Sequence, residues 1–337
     1  MSPYAPRTLL VTGGAGFIGC NFVRHLLTSD RSVRIVNLDK LTYAGSLDNL
    51  ASLPHADRHV FVQGDICDRS LVDRLLREHE IDTVVHFAAE SHVDRSITGP
   101  AEFVETNVCG TFTLLEATRQ RWLDQLGLGA DACRFHHVST DEVYGTLAPG
   151  DPAFSELTPY APNSPYSASK AASDHLVRAY FHTYALPVTT SNCSNNYGAY
   201  QHQEKFIPTV IRSCVEGQAI PVYGDGSNIR DWLFVGDHCS GVDRVMRAGE
   251  LGEVYNIGGC NEWRNIDIVR HICRLMDERR PDAAPHENLI RFVTDRPGHD
   301  WRYAINAGKM RDRLAWTPSV SFEQGIAQTC DWYLARL

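Results

Sequence analysis

Long apolar runs, sets of histidines and cysteines at the spacings of zinc sites, and basic patches are all missing from this 337-residue sequence. A membrane-spanning helix needs about 20 apolar residues, and a zinc site needs closely spaced ligands, so the sequence predicts neither. The net charge of −9 argues against a nucleic-acid surface, because neutralising phosphates requires many cations. We therefore expect no metal, no nucleic acid and no membrane among its partners.

Cysteine is present but scattered, since no two of the ten cysteines lie closer than thirteen residues apart. The first residues also lack the charged-then-apolar pattern of a secretory signal. We interpret the cysteines as free thiols of a reducing compartment, which predicts a cytoplasmic protein. With 43% hydrophobic and 22% charged residues, the composition is ordinary for a soluble globular chain of one large or two smaller domains.

A glycine-rich segment near the start indicates a nucleotide site. Residues 8–12 have the pattern of a short apolar strand, and an amphipathic helix is predicted over 17–28. Between them, Gly13, Gly16 and Gly19 let the backbone approach a pyrophosphate at the N terminus of that helix. A glycine-rich run alone is weak evidence for a nucleotide site. Together with the strand before it and the helix after it, the run predicts dinucleotide binding.

The choice of dinucleotide rests on the end of the second strand pattern, residues 33–38. Asp39 follows twenty residues after Gly19, where a carboxylate can bind the hydroxyls of the adenosine ribose. The same negative charge would repel a 2′-phosphate, so the sequence favours NAD over NADP. The positive charge of the neighbouring Lys40 leaves NADP open as the alternative cofactor.

Strand and helix patterns alternate along most of the chain, which is typical of an α/β protein. We predict a Rossmann-type doubly wound parallel sheet with a smaller α/β substrate-binding C-terminal domain. The NAD-binding domain is expected to comprise 1–192 and roughly 231–258, where a strand over 254–257 rejoins the main sheet. The nucleotide-sugar-binding domain is expected to comprise roughly 193–230 and 259–337.

One long helix is predicted over 103–121. Its polar residues Thr106 and Asn107 are available for a ligand. Four apolar residues recur at helical spacing, and we interpret them as core: Val104, Val108, Phe112 and Leu115.

The most reactive side chains are concentrated between 139 and 170. A strand pattern over 134–139 brings Thr140, Asp141 and Glu142 to its carboxyl end, where open parallel sheets bind ligands. Two adjacent carboxyls suit acid–base work, because one can be held protonated while its neighbour stays ionised. The plain alternative is that they cap a loop.

Tyr166 and Lys170 lie four residues apart, so a helix that starts near Ser164 would place both on one face. A free phenol titrates near ~10, and positive charge from Lys170 and an oxidised nicotinamide would lower its pKa. The pair predicts a tyrosine that acts as a base beside a nucleotide.

These motifs together resemble those of a known family. The glycine-rich segment with Tyr166 and Lys170 resembles the extended short-chain dehydrogenase/reductases, and residues 139–145 resemble the signature of nucleotide-sugar 4,6-dehydratases. Further segments are similar from about residue 8 to the C-terminal helix: 88–97, 192–198, 229–232 and 295–300. The resemblance implies an NAD-dependent hydro-lyase that acts on dTDP-glucose, and a homodimer formed through two long helices.

The resemblance also implies a role for each reactive residue. Tyr166 would take the C4 hydroxyl proton while NAD takes the C4 hydride, with Thr140 bonded to the same oxygen and Lys170 tuning the phenol. Glu142 would then remove the C5 proton, and Asp141 would protonate the departing C6 hydroxyl. The hydride finally returns to C6, so NAD is regenerated in each turnover.

The binding residues follow from the same resemblance. The expected NAD contacts are Gly13, Gly16, Phe17, Ile18, Gly19, Asp39, Lys40, Leu41, Thr42, Asp65, Ile66, Ala88, Ala89, Ser91, Thr106, Tyr166, Lys170 and Asn196. The expected nucleotide-sugar contacts are His92, Thr140, Asn195, Glu204, Lys205, Phe206, Pro221, Val222, Tyr223, Arg230, Asn265, Arg296 and His299.

The sequence departs from the family pattern at three positions. Ala199 and Gln203 stand where prolines are usual, and Gly236 stands where a glutamate is usual. Losing prolines would loosen that loop through greater entropy of the unfolded chain, without touching the chemistry. Three alternatives stay open: UDP-glucose as the substrate, a nucleotide-sugar 4-epimerase, which would lack the acid–base pair, and a non-catalytic NAD-binding protein.

Overall fold

Runs of valine, isoleucine and other apolar residues form buried strands at the centre of the molecule. The computed structural model describes residues 3–281, 284–295 and 300–337. The strands are β1 (Thr8–Thr12), β2 (Arg34–Asp39), β3 (His59–Gln63), β4 (Thr83–His86), β5 (Arg134–Thr140), β6 (Val188–Cys193), β7 (Asn195–Tyr197), β8 (Ile220–Tyr223), β9 (Ile229–Phe234), β10 (Val254–Ile257), β11 (Glu262–Arg264), β12 (Ile290–Val293) and β13 (Arg302–Tyr303). The strand patterns of the first half of the chain are confirmed, with ends shifted by one residue at most.

Seven of these strands form one parallel sheet in the order β10-β6-β5-β4-β1-β2-β3. Val254 of β10 pairs with Thr190 of β6, so this late strand rejoins the main sheet as predicted. The chain starts in the middle, at β1, and the strand order reverses between β1 and β4. In such sheets ligands bind outside the carboxyl ends of the strands at that point.

Helices cover both faces of this sheet. They are α1 (Phe17–Ser29), α2 (Arg69–Glu78), α3 (Val93–Thr98), α4 (Pro100–Phe103), α5 (Thr111–Arg119), α6 (Pro165–Tyr184), α7 (Phe206–Glu216), α8 (Val235–Ala248), α9 (Asn265–Arg279), α10 (Gly308–Leu314) and α11 (Phe322–Leu334). α1 and α8 pack on one face through residues such as Val23 and Val242. α2 and α5 pack on the other through residues such as Leu75 and Leu114. This two-sided cover is the doubly wound arrangement that the sequence predicts.

The helix predicted over 103–121 is longer and less regular than expected. α4 runs through a π-helical segment, Val104–Gly110, into α5 and then into a second π-helical segment, Gln120–Gln125. A π-helical turn contains an extra residue, so each one rotates the following side chains around the helix axis.

The prediction that four apolar residues of this helix form core is wrong for two of them. Leu115 is buried and Val108 is half-buried, but Val104 is 52% exposed and Phe112 is 48% exposed. The reason is that helical spacing identifies an apolar face but not what covers it. The sheet is covered instead by a neighbouring face of the helix, which carries Leu114.

The remaining strands form two smaller sheets, in which β9 pairs with β7, β11 and β13, and β8 pairs with β12. α7, α9 and α11 pack around a separate core that includes Ile211, Ile272 and Phe322. The boundary expected at residue 231 falls inside β9. Across the described ranges, we find no helix both long and apolar enough to span a bilayer.

Candidate active site

A cleft of about 320 Å³ lies at the carboxyl ends of the central strands, and its wall contains residues that follow β1, β2, β4, β5 and β6. All five predicted catalytic residues line it: Thr140, Asp141, Glu142, Tyr166 and Lys170. The predicted cofactor residues line it as well, with the exception of Leu41: Gly13, Gly16, Phe17, Ile18, Gly19, Asp39, Lys40, Thr42, Asp65, Ile66, Ala88, Ala89, Ser91, Thr106 and Asn196. Residues distant in sequence therefore meet in one cleft.

The turn between β1 and α1 has room for glycine only. Gly13 has φ +70°, and a Cβ there would lie 2.7 Å from the backbone of Ala88. A Cβ on Gly19 would lie 2.2 Å from the carbonyl oxygen of Gly13. Gly16 caps α1 without a side-chain hydrogen bond, so backbone N–H groups of the first turn are available at the cleft wall. A helix N terminus of this kind suits a pyrophosphate.

Asp39 is held at the end of β2 by two backbone groups. Its Oδ2 accepts a hydrogen bond from the Ala15 N–H at 2.9 Å, and its Oδ1 accepts one from the Leu41 N–H at 2.8 Å. A carboxylate retains further lone pairs for ribose hydroxyls. Lys40 forms an ion pair with Asp65 at 2.7 Å. This ion pair neutralises the positive charge of Lys40, which had left NADP open as the alternative cofactor. The net charge at this point of the cleft therefore favours NAD.

Two buried amide groups provide a further test of whether a polar cofactor fits the cleft. The side-chain oxygens of Asn195 and Asn196 are buried and have no hydrogen-bond partner in the described chain. Buried polar atoms are normally paired, so these oxygens are acceptors that a bound molecule can satisfy. A dinucleotide carries hydroxyl and amide donors and therefore fits this wall.

The predicted acid–base pair sits where β5 turns into a short 3₁₀ helix, Asp141–Tyr144. The Glu142 N–H donates to Thr140 Oγ1 at 3.3 Å, which starts that turn, and the same hydroxyl donates to Asp141 Oδ1 at 3.3 Å. Asp141 is only 1% exposed, and its Oδ2 has no partner. Glu142 is half-buried. Two carboxyls that adjoin in sequence therefore occupy different environments.

The pKa of Asp141 is strongly shifted, and burial is the main cause. Together with the charges of Glu142 and Asp231, it raises the pKa of Asp141 well above its usual range. Burial therefore favours the protonated form of this carboxyl group. A protonated carboxylic acid in a cleft is a candidate general acid.

α6 begins with a capping box, in which the Ser164 side chain accepts a hydrogen bond from the Ser167 N–H. The helix therefore starts near Ser164, as predicted. Lys170, one turn after Tyr166, donates from Nζ to the Val138 carbonyl at 2.9 Å. Burial raises the pKa of Tyr166 well above its usual range, the charge of Glu142 adds to this, and a hydrogen bond with Thr140 opposes it. The protein groups around Tyr166 therefore favour the neutral phenol.

The predicted substrate residues fall into two sets. Thr140, Asn195 and Lys205 line the cleft. The Lys205 Nζ donates to the Ser91 carbonyl at 3.2 Å. The others described lie outside its wall: His92, Glu204, Phe206, Pro221, Val222, Tyr223, Arg230 and Asn265. Arg296 and His299 lie outside the described residues.

Three members of the outer set already have partners in the protein. Glu204 forms an ion pair with Arg95 at 2.8 Å. Val222 packs in the core between α7 and α9. The Arg230 guanidinium donates to backbone carbonyls and lies 4.4 Å from the ring centre of Tyr303. Val222 is buried, so its side chain would have to move to contact a ligand directly.

Several cleft residues were not predicted from the sequence, among them Glu90, Cys193, Gln201 and His202. Cys193 ends β6, so the rule that ligands meet the carboxyl ends of parallel strands could have found it. Gln201 and His202 lie in an irregular loop whose sequence carries no periodic signal. No group of metal-ligating side chains occurs in the described part of the chain.

Comparison with known proteins places this cleft in context. The chain matches the family model described as GDP-mannose 4,6 dehydratase over residues 10–329. It is 60% identical over 331 residues to a dTDP-glucose 4,6-dehydratase of Xanthomonas campestris pv. campestris (strain B100). The aligned region covers 98% of this chain and 93% of the relative. This relative supports the dehydratase chemistry suggested by the cleft.

Solved structures show the same fold. The dTDP-glucose 4,6-dehydratase from Streptomyces venezuelae, solved with NAD and TDP bound, has a TM-score of 0.89 at 45% identity over 98% of this chain and 97% of its own. A UDP-glucose 4-epimerase from Thermus thermophilus, solved with NAD, has a TM-score of 0.85 at 28% identity over 98% of this chain and 100% of its own. The fold is thus shared by two reactions, and the side chains must distinguish them.

Proposed function

Because the chain belongs to the family of nucleotide-sugar 4,6-dehydratases, we propose that it converts dTDP-glucose into dTDP-4-keto-6-deoxyglucose and water. This makes it an NAD-dependent hydro-lyase. One observation carries the proposal beyond the fold: Asp141 is buried, its neighbour Glu142 is half-buried, and both line the cleft with Tyr166. An epimerase has no use for such a pair, because it expels no water.

The residues that would hold the cofactor are the glycine turn before α1, Asp39 and the amide group of Asn196. Bound NAD supplies the acceptor, and later the donor, of a hydride at the hexose. Asp39 would accept hydrogen bonds from the hydroxyls of the adenosine ribose, and the N–H groups of the first turn of α1 would hold the pyrophosphate.

The first proton moves at the C4 hydroxyl of the sugar. We assign its removal to the phenolic oxygen of Tyr166, which shares a hydrogen bond with Thr140. Lys170 is anchored on β5 and brings a positive charge to the same part of the cleft. Oxidation at C4 makes the neighbouring C5–H acidic, which a sugar carbon otherwise is not.

Elimination of water then needs a base and an acid at the same time. Glu142 accepts the C5 proton, because its side chain is only half-buried and carries the negative charge that shifts Asp141. Asp141 gives its proton to the oxygen leaving C6, which would otherwise depart as hydroxide. The split between adjacent carboxyls is set by their burial.

The test is turnover of purified protein with dTDP-glucose and with UDP-glucose, alone and in competition. A 4-keto product that absorbs in alkali, formed faster from dTDP-glucose, is the expected result. Formation of a galactose epimer would establish the epimerase instead. Absence of turnover with either sugar would favour the non-catalytic alternative.

Assembly and location are separate proposals. We propose a homodimer through the helix that contains Val104 and Phe112, because about half of each apolar side chain is exposed there. A second copy would cover this face. The division into an NAD-binding and a nucleotide-sugar-binding domain, and a cytoplasmic location, remain predictions of the sequence.

A further inference from the structure

A buried carboxylate lies one helical turn beyond the predicted catalytic lysine. Tyr166, Lys170 and Asp174 follow each other at intervals of four residues on α6, so their side chains share one face. Asp174 is 6% exposed. It lies outside the cleft wall and has no part in the acid–base steps described above.

Three donors from two elements converge on this carboxylate. Asp174 Oδ2 accepts from Ser139 Oγ at 2.8 Å and from the Tyr160 hydroxyl at 2.9 Å. Its Oδ1 lies 3.0 Å from His137 Nε2. Burial lowers the pKa of His137 well below its usual range, which favours the neutral ring. With its proton on Nε2, this ring donates to the carboxylate.

These contacts alternate with the lysine contact along β5. Asp174 binds His137 and Ser139, and the Lys170 ammonium donates to the carbonyl of Val138 between them. α6 is thus joined to three consecutive residues of β5, immediately before Thr140. The carboxylate and the ammonium act on the same short stretch of backbone that delivers the catalytic residues.

We propose that Asp174 is a positioning residue for the dehydration reaction: bonded to His137 and Ser139, it fixes α6 against the end of β5, and one helical turn from Lys170 its carboxylate supplies negative charge for that buried ammonium. The inference rests on the proposed function, because it assigns Asp174 a role in that chemistry. A buried cation without a partner is strongly disfavoured, and a buried pair is stable only when its remaining hydrogen bonds are made. Asp174 has all three of its donors, so it can stay ionised.

The electrostatics agree with this geometry. Burial raises the pKa of Asp174 to about 6, and the charge of Lys170 is the strongest influence that lowers it. Burial lowers the pKa of Lys170, and the charge of Asp174 is the strongest influence that raises it. The other titratable groups near the pair come from α6, β4, β5, β6, the 3₁₀ turn and the loop before α6: His175, His86, His137, Cys193, Tyr144 and Tyr160.

The first experiment measures the pH profile of kcat for dTDP-glucose in the parent, Asp174→Asn, Asp174→Glu and Tyr160→Phe proteins. Without its counter-charge, Lys170 loses its proton at lower pH, so the alkaline limb of Asp174→Asn should move down by about 1 pH unit or more. Asp174→Glu keeps the negative charge, so its alkaline limb should lie at the same pH as that of the parent. Tyr160→Phe removes one hydrogen bond but keeps the carboxylate, so its alkaline limb should move less than that of Asp174→Asn.

An unchanged alkaline limb in folded Asp174→Asn would overturn the proposal. An equal shift in Tyr160→Phe would do the same, because packing rather than charge would then be responsible. Neither result depends on which nucleotide the enzyme prefers, since the pH profile can be measured with whichever nucleotide sugar turns over.

A second measurement needs no activity and so separates this inference from the proposed function. Thermal unfolding is followed for Asp174→Asn, Lys170→Met and the double variant. If the two charges are partners, the Tm loss of the double variant is smaller than the sum of the single losses, or it folds where Asp174→Asn does not. Additive losses, or a double variant that also fails to fold, would refute the pairing.

Discussion

Replacing Asp141 with asparagine changes one oxygen of a buried side chain to an amide and removes the proton that we assign to the leaving oxygen. The hydrogen bond from Thr140 can be retained, because the amide oxygen accepts as the carboxyl oxygen does. The unpartnered Oδ2 is the atom that changes. Asp141→Asn therefore tests the acid with little change in shape.

The expected loss is large but selective. A positioned general acid contributes about 10²–10⁴-fold, or about 3–5 kcal/mol of barrier, so formation of the 4-keto-6-deoxy product should fall by that factor. Oxidation at C4 does not need this proton. Reduced cofactor should therefore accumulate on mixing with dTDP-glucose, which its absorbance reports. Product formation within a factor of a few of the parent rate would show that the proton comes from elsewhere.

The same variant tests the burial argument through stability. Because the pKa of Asp141 is raised in the folded protein, its contribution to stability is fully present below the unfolded pKa near ~3.9 and is lost as pH rises towards the folded pKa. Asparagine does not titrate. The Tm of Asp141→Asn relative to the parent should rise between about pH 4 and pH 7. A constant difference would mean that Asp141 is ionised in the native state.

Three further changes examine the rest of the site and the assembly. Glu142→Gln should keep C4 oxidation but slow water loss by about 10²–10⁴-fold, since the base is removed; undiminished product formation would rule out that role. Tyr166→Phe should suppress even the first appearance of reduced cofactor, and a normal signal in stopped-flow absorbance would remove Tyr166 as the base. Phe112→Glu should convert the proposed dimer to a monomer in light scattering, because it places a charge in an apolar contact. Leu157→Glu, at a loop residue that is 92% exposed, is the matched control and should stay dimeric.

The parts of the fold that the sequence predicts well are those set by local chemistry. The strand before the glycine turn, the carboxylate at Asp39 and the serine cap at Ser164 each depend on neighbours within a few residues. The rule that parallel strands present their carboxyl ends at one edge then brought Asp39 and Thr140 together. These predictions needed no long-range information.

What the sequence could not predict depends on which surfaces meet. Phe112 has the spacing of a core residue, yet it is exposed because another face of the helix covers the sheet. Glu204 forms an ion pair with Arg95 on α3, more than a hundred residues away along the chain. Gln201 reaches the cleft from a loop without periodicity. Each outcome is decided by tertiary contacts between distant segments.

The acid–base assignment follows from the same kind of contact. Asp141 and Glu142 are adjacent and have similar intrinsic acidity, so residue type alone cannot decide which one donates and which one accepts. The turn that begins at Thr140 places Asp141 inward, near buried Asp231, and leaves Glu142 half-exposed at the cleft. Burial then opposes ionisation of the inner carboxyl, and the negative charge of the outer one adds to that effect. A dehydratase can therefore be built on a fold shared with epimerases by one short turn that puts two neighbouring carboxyls in different surroundings.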